Sequence, residues 1–239
     1  MSASATRTFS VRHVQFARAL FAAVAAVMVT FSPDHSAAVG LAVFSGFALA
    51  TGLVQALAAW LVAGPGERWP SVLLAVVSFL AGMAGGVPAW RSTVLFFVLV
   101  VGWGALSGLV ELIAGLRARR AARSTGATAR AAADRSRDAI TVGAAGLLLA
   151  VALLLVPMQY SWDYTIEKAG TFTLTGITLA VGIFGIYAAI VAVFLAIAGF
   201  SPRTPVSTEA PGPSAPSAQG PARQTPARTI PSAERGGTA

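Results

Sequence analysis

Six apolar runs, at positions 14–31, 37–62, 71–87, 93–116, 139–156 and 172–200, occupy most of this 239-residue chain. At a rise of about 1.5 Å per residue, roughly 20 residues cross a hydrocarbon core of about 30 Å. Every run is therefore long enough to consider as a span, and the second, fourth and sixth are long enough to tilt. Lipid offers backbone groups no partner, so a span must be a helix or a strand of a closed barrel. Runs this continuous lack the period-two alternation of barrel strands, which leaves helices. Charged residues are 11% of the chain, against about 25% in soluble domains. Too little polar surface is left to cover an apolar core in water. The expectation is an all-α integral membrane protein with six transmembrane helices.

The charges set an orientation. The net charge is +8, which in a soluble domain would point to nucleic acid, but here the basic residues crowd into the connections and the tail. With a cytoplasmic N-terminus, the inside receives Arg7, Arg12, Arg18, Arg68, the seven arginines from Arg117 to Arg137, and four in the tail. That is 15 of the 17 basic residues; Arg91 and Lys168 fall outside. The positive-inside bias then predicts both termini inside and excludes nucleic acid as a partner. Residues 1–13 form a cytoplasmic segment, 14–200 the membrane domain, and 117–138 an Arg-rich cytoplasmic loop. Arg117, Arg119, Arg120 and Arg123 are placed to contact anionic lipids, each contributing about 1 kcal/mol of attraction. Eight prolines among the last 38 residues, with few large apolar side chains, predict a disordered cytoplasmic tail over 201–239. The first run and the Ser36-Ala37-Ala38 site loosely resemble a cleaved signal peptide, an alternative to a first span.

The even-numbered runs align with one another. Phe47-Ala-Leu-Ala-Thr-Gly-Leu-Val-Gln-Ala-Leu-Ala58 matches Trp103-Gly-Ala-Leu-Ser-Gly-Leu-Val-Glu-Leu-Ile-Ala114 at an offset of 56 residues, and 182–188 offers a weaker copy. Pro33, Pro88 and Pro157 follow the odd runs. Three repeated helix hairpins result, each an odd helix, a proline-marked outer turn and an even helix. Small residues let helix backbones approach closely where no hydrophobic effect joins them. Gly52, Gly104, Gly108 and Gly182 are accordingly expected to pack the three even helices together. The pattern of residues 103–116, the proline-ended odd helices and the six-span plan resemble the HdeD-like family of short-repeat bacterial membrane proteins, over roughly residues 14–200. That resemblance implies the bacterial cytoplasmic membrane as location and a contribution to acid and stress resistance. It supplies no catalytic residues.

Few residues carry chemistry. Glu111 is the acidic residue inside a predicted span, and a charge there is a functional candidate by default. Close to Arg117 and Arg119 in sequence, it is also placed to pair with them as a structural group. Gln55 is its counterpart in the second run. His35 lies in the first outer turn, while Tyr160, Trp162 and Tyr164 read as anchors at the outer interface. No serine-hydrolase elbow, zinc-protease, phosphate-loop or dinucleotide pattern is present, and there is no cysteine. The reading is a non-enzymatic membrane protein with no cofactor. Its partners are the bilayer, anionic lipids at the Arg-rich loop, and a second copy of the chain or a cytoplasmic protein. The alternative is a small transporter or channel using Glu111, Gln55, Thr51 and Ser107.

Overall fold

The computed structural model describes residues 11–63, 68–123, 129–167 and 170–200. They form six helices: α1 (Val11–Phe31), α2 (Ala37–Leu61), α3 (Trp69–Gly86), α4 (Thr93–Ala122), α5 (Ala129–Leu154) and α6 (Gly176–Phe200). A two-stranded antiparallel hairpin, β1 (Ser161–Ile166) and β2 (Gly170–Thr175), joins α5 to α6. All six helices are long and apolar enough to cross a membrane. Their outward faces carry Leu20, Val98, Leu148, Ile190 and Ile197, each more than half exposed. Such a surface would drive aggregation in water and is matched only by lipid. The chain is a multi-pass membrane protein. The tail 201–239, most of segment 1–13, residues 124–128 of the basic stretch and Lys168 lie outside the described residues.

Local chemistry sets the helix starts. Ser36, in extended backbone, accepts the Val39 N–H on its Oγ, and the Asp34 carboxylate accepts the Ser36 N–H at 2.8 Å. Ser92 caps α4 the same way through the Leu95 N–H. Pro70 occupies the first turn of α3, where a missing N–H costs nothing. Pro88 opens a single 3-10 turn before α4.

Each helix packs on its chain neighbours, and α6 closes the ring against α1. The most extensive contacts are α2 with α3, α4 with α5, and α6 with α1. The glycines explain them. A Cβ on Gly108 would stand 2.7 Å from the Gly143 carbonyl oxygen and 2.8 Å from the Leu147 nitrogen. Gly104 faces the Gly146 oxygen at 3.1 Å, and Gly52 faces the Ala75 oxygen at 3.2 Å. The glycine faces of α2 and α4 therefore meet the odd helix that follows, not the other even helices as the sequence suggests. The even helices converge instead through aromatic rings. Phe44, Phe47, Trp103, Phe184 and Tyr187 stack edge-to-face with centroids 5.4–6.0 Å apart. Rings of that size hold helix axes apart, whereas facing glycines draw them together. Gly182 has nothing within 4 Å of where a Cβ would stand; the close approaches of α6 to α1 are Gly185 against Val29 and Gly199 against Phe16.

Two boundaries depart from expectation. The basic stretch 117–138 is mostly helix, because α4 runs on to Ala122 and α5 begins at Ala129. The sixth span begins at Gly176, since residues 172–175 pair in β2. In that hairpin Trp162 pairs with Leu174, while Asp163 and Thr165 pair with Thr173 and Thr171. The threonine hydroxyl of Thr173 donates to Asp163 at 2.5 Å. Gly170 holds a positive φ of 103° at the turn, which glycine adopts without strain. Trp162 and Tyr164 are exposed there, in keeping with an interfacial position.

Candidate functional site

Adjacent helices run antiparallel, so the starts of α1, α3 and α5 and the ends of α2, α4 and α6 share one end of the bundle. The basic stretch lies at that end. On α4, Trp103, Ser107 and Glu111 recur every four residues, and all three are buried. This spacing turns Glu111 into the bundle. Its side chain is 7% exposed, and Arg18 of α1 reaches it with Nη2 donating to Oε1 at 2.6 Å. The partner is therefore not Arg117 or Arg119. The Arg117 guanidinium stands over the Trp69 ring at 5.1 Å, and Arg119, Arg120 and Arg123 are exposed.

Around this ion pair every helix supplies a polar group. Gln15 of α1 donates from Nε2 to Asp138 Oδ2 of α5 at 2.8 Å. Gln15, Arg18, Gln55, Ser71, Glu111 and Asp138 line a cavity of about 210 Å³. Apolar Val14, Leu74, Val142 and Leu195 complete its wall. A narrow void of about 10 Å³ adjoins it, bordered by Thr51, Ser78, Ser107 and Tyr187; that is room for about one water. Gln55, only 4% exposed, lines both spaces and has no hydrogen-bond partner among the described residues.

The Trp103 indole N–H donates to Ser78 Oγ at 3.0 Å, and Ser107 Oγ donates to the Trp103 carbonyl at 2.5 Å. Beyond them the interior is apolar. Leu41, Phe44, Phe96, Val100 and Phe184 are fully buried and shut the polar centre off from the opposite end. Trp103→Phe keeps the ring and loses the indole bond. The expected cost is about 1 kcal/mol, since single hydrogen bonds inside membranes contribute about 0.6 kcal/mol on average. Thermal unfolding in detergent checks it; Ser78→Ala should cost the same, and the double variant no more.

Sequence reasoning singled out Glu111 and Gln55, and the structure brings both to one cavity. It did not find Arg18, read as a flanking charge although it lies inside the first apolar run. Nor did it find Asp138, assigned to a loop but helical here. The lone arginine in one span and the lone glutamate in another were the available signal. Among the described residues no group of three His, Asp or Glu side chains is placed to hold a metal. No family model matches the chain, and no curated protein or solved structure matches it either.

Proposed function

We propose that this chain is a non-enzymatic membrane protein whose working part is the polar centre around Arg18 and Glu111, facing the cytoplasm. The observation that carries this reading is an ion pair held inside a span among polar groups from all six helices. Ionisable groups at membrane depth are costly, and they mark sites where ions, protons or solutes are handled. The basic end is assigned to the cytoplasm, with both termini inside, by the positive-inside bias. The resemblance of residues 103–116 to HdeD-like proteins adds the setting: the bacterial cytoplasmic membrane and tolerance of acid and related stress.

The same reading takes the bundle as three related helix pairs around one axis. In support, the odd helices bury matching positions: 19, 22, 25, 26 and 29 in α1, the same set plus 56 in α3, and plus 124 in α5. The even helices do likewise at 41, 44, 47, 48, 51, 52 and 55, then plus 56 and plus 140. In this register the third counterpart of Gln55 and Glu111 is Leu195. Arg18, Leu74 and Val142 also correspond, and all six of these residues line the cavity. The site lies on the repeat axis, and its charges break the symmetry.

The test is survival of a deletion strain after acid shock, complemented with wild type, Arg18→Gln or Glu111→Gln. Rescue by wild type, and at least a tenfold weaker rescue by either variant at equal membrane abundance, is expected. Equal rescue by all three would overturn the role of the centre. A transporter is the second reading, favoured by the cavity; the closed apolar half would then be one state of an alternating cycle.

A further inference from the structure

We propose that the β1–β2 hairpin is a lipid-binding element, lying on the leaflet at the end of the bundle opposite the basic stretch with one face sunk into the headgroup region. The inference goes beyond the polar centre and stands without it.

The pleat sorts the residues of the hairpin. Alternate residues of a strand belong to opposite faces, and the register pairs even positions with even and odd with odd. The odd positions are Ser161, Asp163, Thr165, Thr171, Thr173 and Thr175. Thr173 donates to the Asp163 carboxylate, and the Thr165 and Thr171 hydroxyls bond to each other at 3.1 Å. The even positions are Trp162, Tyr164, Ile166, Phe172 and Leu174, with Gly170 beside the turn, and none of them is charged. One face is polar throughout and the other apolar, and Trp162 is 61% exposed.

That face needs a cover. A two-stranded hairpin by itself is marginal in water, and within the chain this one rests on the start of α6. Its strands are roughly 20 Å long at about 3.3 Å per residue. Standing along the membrane normal, they would lift Tyr164 and the turn away from lipid and leave the apolar face bare. Three observations make lipid the cover. The outward surface of α5 runs on through exposed Leu154, Leu155 and Met158 towards Trp162, so the face continues a surface that already meets the bilayer. Indole and phenol rings combine an apolar body with a polar tip, the chemistry that belts membrane interfaces. No even position brings a charge that insertion would desolvate, and Asp163 belongs to the face turned to water. The base is tied to the bundle: the Gly176 N–H donates to the Tyr160 carbonyl at 2.8 Å, and Gly176 leaves no room for a Cβ beside the Pro157 carbonyl oxygen. A hairpin so tied sets the depth at which α5 and α6 meet the leaflet.

The chain has no cysteine, so a single introduced one reports on a single position. The experiment attaches a nitroxide to Trp162→Cys, Asp163→Cys, Tyr164→Cys, Thr165→Cys, Thr173→Cys and Leu174→Cys, each in the full chain reconstituted in phosphatidylcholine liposomes. Collision with oxygen, which partitions into lipid, is compared with collision with a water-soluble nickel chelate. The oxygen-to-nickel ratio should alternate along the strands, about tenfold higher at 162, 164 and 174 than at 163, 165 and 173. Nickel collisions dominating at all six positions would place the hairpin in water and overturn the inference. Even positions shielded from both collision partners would overturn it too, by showing a protein cover, and broadening between nitroxides at 162 would identify that cover as a second copy. Native side chains give a second measurement. The emission lost in Trp162→Phe should be quenched more by lipids brominated near the headgroup than by lipids brominated near the chain ends; quenching by neither would overturn the inference.

Discussion

Arg18→Leu is expected to destabilise the bundle by about 3 kcal/mol, while Arg18→Leu combined with Glu111→Leu recovers most of that loss. The single change leaves a carboxylate without its cation at a side-chain exposure of 7%, and removing one partner of a buried pair costs about 3–5 kcal/mol. The lower end applies because the Arg18 side chain remains 18% exposed, so solvent in the cavity screens the charge in part. The double change removes both charges, and the pair's own net contribution is small once desolvation is counted. Denaturant unfolding in mixed micelles measures all three proteins. A double variant as damaged as Arg18→Leu would show that packing, not unpaired charge, is what Arg18 supplies.

The second large effect is expected at Gly108. An alanine methyl there would enter the space of two backbone atoms of α5, the Gly143 oxygen at 2.7 Å and the Leu147 nitrogen at 2.8 Å. Backbone cannot turn aside as a side-chain tip can, so α4 and α5 must separate along their most closely packed stretch. Overpacking of this kind costs about 1–3 kcal/mol, and Gly108→Ala should lie near the top of that range. Gly102 and Gly182 have open space where a Cβ would stand, and alanine at either should be neutral or slightly stabilising. Thermal melts of the three variants separate the cases. A Gly182→Ala protein as unstable as Gly108→Ala would contradict the packing described here.

Much of the polar centre was within reach of the sequence but hidden by how its parts were sorted. Glu111 and Gln55 stood out because a polar side chain in a span is conspicuous. Arg18 did not, because a basic residue near the start of the first span also serves the charge bias. The hairpin was hidden in another way. Ser161-Trp162-Asp163-Tyr164-Thr165 alternates with period two, as do Thr171 to Thr175, but the second set abuts a continuous apolar run and was absorbed into it. Gly182 shows the limit of short alignments. The alignment set it against Gly52 and Gly108, yet it has open space where a Cβ would stand.

Composition and run length by themselves determined that the chain is a bundle of six apolar helices in a bilayer. Lipid permits so few backbone arrangements that hydropathy alone decides among them. Which helices lie closest, and whose side chain answers Glu111, was decided only by the tertiary structure. Both depend on the rotation of each helix about its own axis, where one residue is a turn of about 100°, and on partners far apart in the chain. Arg18 and Glu111 are 93 residues apart, and no local pattern records that they meet.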